Sequence, residues 1–198
     1  GITLAVFALI ATLSVRSGFR AEFVDTILGA NAHVTVYNLG VVTASGQIDR
    51  TIPDYEQMAA RLAAVPGVMR VAPLVRGQVM ANLRGSNTGV EVYGIAPENL
   101  RSLPRIADPD VAQGDIADFA VGIALGSGVA RELGVTVGDK IKLISPDGAK
   151  TAFGTSPRVS SFEVVYVFSA GRYDIDKTRV YLPFSEAQTY FNRGDTAD

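Results

Sequence analysis

A charge-free apolar run at the start of the sequence places the strongest constraint on how this chain folds. Residues 1–15 contain no charged side chain, and Arg16 and Arg20 follow. As a helix the run spans about 22 Å, which is short of the ~30 Å hydrocarbon core of a bilayer. It predicts either the end of a longer membrane-spanning helix or a buried core helix, and we favour the membrane helix. A signal peptide fits poorly, because no basic segment precedes the run and no small-residue cleavage site follows it.

The helical pattern continues beyond the apolar run. Phe19, Phe23 and Ile27 recur at a spacing of four residues, and Gly29 is a typical helix stop. Residues 1–29 are therefore predicted to be the end of a membrane helix with an amphipathic stalk, although the same stripe also fits ordinary core packing. Residues 30–198 form the second predicted unit, a domain that we expect to be truncated at its C-terminal end.

Composition excludes several classes of protein. Basic and acidic residues are interspersed at a net charge of −2, so no nucleic-acid-binding surface is predicted. The chain has no cysteine and a single histidine, His33, which excludes disulfides and thiolate catalysis and disfavours a metal centre or a Ser-His-Asp triad. His33 itself fits a structural or surface role better than that of a ligand. We expect no catalytic residues, no metal site and no cofactor.

Short strands and helices follow one another along the chain and predict an α+β fold. Strands are expected at residues 33–38, at 68–75 with an interruption at Pro73, and in a hairpin whose turn covers residues 84–89. Capping boxes predict the starts of two helices, and their residues are Asp54 with Gln57 and Ser185 with Gln188.

Two motifs invite catalytic interpretations and fail them. Residues 126–128, Gly-Ser-Gly, stand between a strand and a helix, but the Gly-Lys-Ser/Thr of a phosphate loop and the full Gly-x-Ser-x-Gly of a nucleophile elbow are missing. The turn is predicted to let the helix pack close to the strand. The carboxylate pairs Asp108/Asp110 and Asp174/Asp176 fit solvated loops or turn caps better than a hydrolase site.

Residues 141–168 read as a strand, a long loop and a second strand. The loop, residues 145–161, is far longer than a usual hairpin connection and contains two prolines, two glycines and Phe153. Loops of this length are usually disordered or functional, and this one is predicted to be an arm presented to a partner.

Three sequence segments together resemble one family. They are Ser-Gly-Phe-Arg-Ala-Glu-Phe followed by Ile-Leu-Gly-Ala-Asn-Ala-His-Val-Thr-Val, then Leu-Gly-Val-x-Val-Gly-Asp-Lys-Ile-Lys-Leu-Ile-Ser-Pro-Asp-Gly, and Val-Tyr-Leu-Pro-Phe-Ser-Glu-Ala-Gln-x-Tyr-Phe. The chain resembles the LolC/LolE family of lipoprotein-releasing ABC transporter permeases, within the wider MacB-type group. The resemblance covers essentially the whole chain.

The resemblance implies a mixed α/β periplasmic domain with porter-like and sabre-like subdomains, attached to the inner membrane and facing the periplasm. Such a permease is a transport subunit and not an enzyme. It works with an ATPase subunit, LolD, and a second permease subunit to release lipoproteins from the membrane. It hands them to the periplasmic chaperone LolA. The alternative within the same group is a MacB-like export permease that couples to an adaptor or an outer-membrane channel.

In the LolC type, the long hairpin loop is a hook that captures the chaperone, and residues 145–161 match it by position, by length and by the Pro-Arg at its end. Phe153 and Arg158 are then the expected chaperone contacts. The remaining residues assigned to the partner-binding loop are those expected to fix its shape and one lysine: Pro146, Gly154, Pro157 and Lys150.

Overall fold

A long N-terminal helix opens the fold. The computed structural model describes residues 1–28, 31–42, 46, 48–151 and 154–198. Helix α1 (Ile2–Leu28) has 27 residues and is about 40 Å long. Within the described residues, Ile2–Arg20 is the one segment long and apolar enough to cross a membrane by length and composition, with a mean hydropathy of 1.8, and none of it is buried. The predicted continuation to residue 28 is confirmed, whereas the stop at Gly29 lies outside the described residues.

The segment between α1 and the main sheet contains little regular structure. It holds a small ladder of β1 (Val41–Val42) with β2 (Ile48–Asp49) and helix α2 (Tyr55–Ala63). The strand predicted at residues 33–38 is wrong, and His33 is exposed in an irregular segment. Side-chain bonds replace a ladder here: Asn38 Nδ2 donates to the Thr51 carbonyl at 2.8 Å, and Gly40 N donates to Asn38 Oδ1 at 3.2 Å.

Six strands close into a barrel. The strands of the main sheet are β3 (Val75–Leu83), β4 (Ser86–Ile95), β5 (Val111–Gly114), β6 (Ile123–Gly126), β7 (Lys140–Thr151), β8 (Gly154–Ser169) and β9 (Arg179–Pro183). Their order is β5-β8-β6-β9-β4-β3-β7, and β7 also pairs with β8, so that six of these seven strands form a ring and β5 lies outside it. Between them lie α3 (Pro97–Arg101), α4 (Pro104–Ala107), the 3-10 helix Ile116–Ala120, α5 (Ser127–Leu133), α6 (Tyr173–Thr178) and finally α7 (Phe184–Phe191).

Buried and exposed side chains alternate along the strands, and the buried ones form two hydrophobic cores. One cluster of buried apolar side chains draws on all six ring strands and on α5 and α7. In β3, for example, Val79 and Ala81 are buried while Met80 between them is 48% exposed. The opposite face carries a second cluster, with Phe168 and Tyr181 from the sheet and Leu100, Ile106 and Ile175 from the surrounding helices. The predicted mixed α/β class is confirmed.

Local details differ from the sequence-based expectations. The strand expected at residues 68–75 begins only at Val75, two residues after Pro73. The β3–β4 hairpin turns on Arg84 and Gly85 alone, with φ of 49° and 97°, because two left-handed residues match the twist of paired strands.

Neither predicted capping box forms. Asp54 occupies the N-cap position of α2 but makes no side-chain capping bond there. Helix α7 starts at Phe184, one residue before Ser185, so that Pro183 occupies its N-cap position.

A tight contact between β4 and α7 gives the first prediction. A Cβ on Gly94 would overlap the Cβ of Ala187, whereas Gly89 of the same strand has no neighbour within 4 Å of such an atom. Gly94→Ala should lower the free energy of unfolding by about 1–3 kcal/mol, as overpacked cores do. Gly89→Ala should change it by no more than about 0.5 kcal/mol. Thermal and denaturant unfolding of the chain in detergent would measure both, and equal effects of the two variants would contradict this account of the contact.

A carboxylate organises the turn that leads into β7. Asp139 Oδ2 accepts from the backbone N and the hydroxyl of Thr136, at 2.9 and 3.1 Å, and these bonds lower the pKa of Asp139. The Asp139 carbonyl also accepts from Val164 N of β8 at 2.9 Å.

The folded-state pKa of Asp139 is depressed. The Asp139 carboxylate therefore stabilises the fold at pH values above its unfolded-state pKa, which is about 4. That stabilisation is lost as the pH falls through the folded value. Asp139→Asn should lower the thermal midpoint at pH 7 and weaken its dependence on pH below about 4. Asp110→Asn, at an exposed carboxylate, is the control. An unaltered pH profile in Asp139→Asn would refute this role.

Candidate partner-binding site

The segment predicted as a long loop is a paired hairpin. The β7–β8 ladder runs from Lys140↔Glu163 to Ser145↔Arg158 and resumes with Ala149↔Ser156, Lys150↔Thr155 and Thr151↔Gly154. The loop assignment for residues 145–161 is therefore corrected: most of these residues belong to the β7–β8 ladder. We refer to residues 145–151 and 154–158 as the arm.

A bulge interrupts the arm where its two prolines lie. Between the pairs Ser145↔Arg158 and Ala149↔Ser156, residues 146–148 of β7 face Pro157 alone. Pro146 and Pro157 have no backbone N–H to donate, so the ladder breaks where its bonds could not form in any case. Both prolines are exposed.

The other residues expected in the loop occupy the outer ladder. Lys150 pairs with Thr155, and Gly154 starts β8 opposite Thr151. Phe153 lies outside the described residues, so its role as an expected contact stays a prediction. Within the part of the chain that the structure describes, no third strand pairs with the arm, since β3 reaches β7 only up to Ile144. The arm therefore extends from the barrel with both edges unpaired.

Arg158, expected as a partner contact, is engaged inside the domain. Its Nη1 donates to the carbonyls of Thr189 and Tyr190, at 2.9 and 2.7 Å, in the last turn of α7. The residue is half-buried. Sequence reasoning missed this contact because the partners lie 31 and 32 positions further along the chain and no local pattern connects them.

Aromatic packing reinforces the root of the arm. Phe162 of β8 meets Tyr190 edge-to-face at 5.9 Å, and Tyr190 meets Phe191 in the same way at 4.9 Å. The Phe191 ring fills the space that a side chain at Gly77 would need. Burial raises the pKa of Tyr190 to about 12, opposed by the positive charge of Arg158.

The motifs that resemble catalytic sequences, residues 126–128 and the Asp174/Asp176 pair, have roles in packing and in turns. A Cβ on Gly126 or Gly128 would approach the backbone of Asp176 closely, so the glycines admit α6 against the start of α5. The predicted close packing is thus against a helix more than against the strand.

The two carboxylates of the Asp174/Asp176 pair act separately. Asp176 Oδ1 accepts from Ala170 N at 2.7 Å. Arg172 Nη2 donates to Asp174 Oδ2 at 2.7 Å. Burial raises the pKa of Asp174, but the hydrogen bond and the charge of the Arg172 guanidinium lower it, and the net direction is downward.

Comparison with known proteins places the chain among transporter domains. It is 31% identical to the lipoprotein-releasing system transmembrane protein LolC of Neisseria meningitidis serogroup B over 194 residues, which is 96% of this chain and 44% of that protein. It is 30% identical to the corresponding LolE of Haemophilus influenzae, again over 96% of this chain and 44% of the relative. The chain therefore spans less than half the length of these relatives.

One solved structure aligns with part of the chain. The extracellular domain of the noncanonic ABC-type transporter YknZ from Gram-positive bacteria aligns with a TM-score of 0.46 and 21% identity, over 74% of this chain and 70% of that one.

The decisive match is to a family model. The model of the MacB-like periplasmic core domain matches residues 1–197, which confirms the resemblance inferred from the three sequence segments. The chain belongs to the MacB-like periplasmic core domain family.

Proposed function

We propose that this chain is the periplasmic core domain of a LolC/LolE-like ABC permease and that its arm docks a lipoprotein chaperone of the LolA type. The observation that supports this function most directly is the arm: a paired hairpin that extends from a closed barrel. The lipoprotein-releasing relatives and the exposed apolar helix α1, which suits an inner-membrane protein, agree with it.

The arm suits docking because little conformational freedom is lost when it binds. Its strands already pair, so a partner orders few additional residues. Unpaired strand edges can add to a partner's sheet, and side chains near the hairpin tip can enter a groove. We assign the anchoring side chain to Phe153, since single buried aromatic residues often dominate such interfaces.

In this proposal the domain is one part of a transport machine and not an enzyme. An ATPase subunit of the LolD type hydrolyses ATP on a separate chain, and a second permease subunit completes the complex. The domain receives a lipoprotein extracted from the membrane and transfers it to the chaperone. Helix α1, about 10 Å longer than a bilayer core, would carry the domain clear of the membrane surface.

Shortening the arm tests the docking step. Replacing residues 147–156 by Asn-Gly removes the outer ladder but keeps the Ser145–Arg158 pair. The full-length permease carrying this change should lose detectable binding to purified LolA and keep the thermal midpoint of the wild type. Binding is measured on surface-immobilised LolA, and the midpoint is measured by thermal unfolding.

A point variant with a matched control tests the anchor. Phe153→Ala should weaken LolA binding about tenfold or more, as expected for an aromatic anchor. Val121→Ala, at a side chain that is 82% exposed and outside the arm, should leave binding unchanged. Full binding by the shortened arm would reject the docking proposal, and capture of a periplasmic adaptor in place of LolA would favour the MacB-like alternative.

A further inference from the structure

The geometry points to Arg158 as a positioning residue that sets the direction of the arm by fastening its root to the end of α7. The inference rests on the proposed docking function for its biological meaning but on internal contacts for its evidence. It reverses the expectation that Arg158 contacts the partner. The contacts that carry it are two hydrogen bonds from a single guanidinium nitrogen to successive carbonyls.

The end of α7 has a carbonyl that only Arg158 satisfies among the contacts of the described residues. Backbone bonds within the helix cap already use the carbonyls of Gln188 and Thr189, which accept from Arg193 N and Asn192 N. The Tyr190 carbonyl accepts from Arg158 at 2.7 Å in a partly buried position. Left without a donor, that carbonyl would be a poorly satisfied polar group beside an apolar cluster.

The positive charge of Arg158 is also favourable at the C-terminal end of α7. The C-terminal end of a helix carries partial negative charge on its free carbonyls, so a cation there is favoured. Bonds from a charged donor are stronger than bonds between neutral groups. A side chain of β8 therefore completes the cap of a helix that follows it by some thirty residues.

The direction of the arm depends on few other contacts. Beyond Ile144, β7 has no described partner except β8, and the bulge at residues 146–148 lies directly outside the Ser145–Arg158 pair. Arg158 is thus the last side chain of the regular ladder before the bulge, and its bonds fix that point to α7. Without them, the arm is free to bend about its root while the barrel below stays closed.

Distance measurements between spin labels test the inference without any partner. The 198 residues of the chain include no cysteine, so labels can be attached within it at Ser156→Cys on the arm and Glu186→Cys on α7, both at exposed positions. In the full-length protein the distance distribution should be narrow for the wild type and at least about twofold broader in Arg158→Met, whose side chain keeps the stem but lacks the donor. Arg158→Lys, which keeps the charge, should restore part of the narrowing.

Two controls distinguish bending of the arm from increased mobility of the whole domain. Arg131→Met removes the same charge from an exposed position on α5 and should leave the distribution unchanged. A second label pair, Val121→Cys with Glu186→Cys, reports on the barrel and should be insensitive to Arg158→Met. An unchanged arm distribution in Arg158→Met would overturn the inference.

Binding to purified LolA connects the positioning role to function. We expect Arg158→Met to bind about tenfold more weakly than the wild type, because the docking orientation is then populated only part of the time. Weaker binding with an unchanged distance distribution would identify Arg158 as a direct contact and refute the positioning role. A broadened distribution with no LolA binding even by the wild type would reject the chaperone proposal and support the positioning role.

Discussion

Strand β8 is the element on which the rest of the domain depends, because it pairs with three neighbours along its length. Its last residues pair with β5 on one side and β6 on the other, and its earlier residues pair with β7. Removing β8 would both open the barrel and leave β5 without its described strand partner. The same strand continues outward as one half of the arm, so the register that closes the core also sets the register of the arm.

Helix α7 is the second junction. It packs into the barrel through Ala187 and Phe191, which occupy space left by Gly94 and Gly77. The ring of Phe184, the first residue of α7, lies 5.3 Å from the ring of Tyr55, the first residue of α2. The residues after it return to the sheet, where an Asp198 carboxylate oxygen accepts from Arg76 N at 2.8 Å. The arm is therefore fastened to the helix that also connects the barrel with the segment before it.

Sequence patterns predicted what local chemistry decides and missed what distant contacts decide. The continuous apolar helix and the hairpin of β3 with β4 follow from composition and spacing. The strand expected at residues 33–38 failed because alternation signals a strand only where a partner exists. The second capping box failed because β9 runs directly into α7, so that Pro183 occupies the N-cap position in place of Ser185.

In the arm, too, the sequence predicted a local feature and missed a distant contact. Two prolines and two glycines correctly marked an unusual segment, but they suggested an irregular loop, whereas the prolines occupy a single bulge and the rest pairs. The role of Arg158 could not be inferred from the sequence, because it is defined by a helix end far along the chain.

The bulge has a consequence for self-association. An exposed hairpin with two free edges is a template onto which strands of other copies can add and start aggregation. Pro146 and Pro157 remove a backbone donor from each strand near the root, and the bulge twists the ladder at the same place. The uninterrupted edge beyond the bulge is thereby reduced to the few residues of the outer ladder. The bulge thus limits how far strands of other copies can add to the edges of the arm.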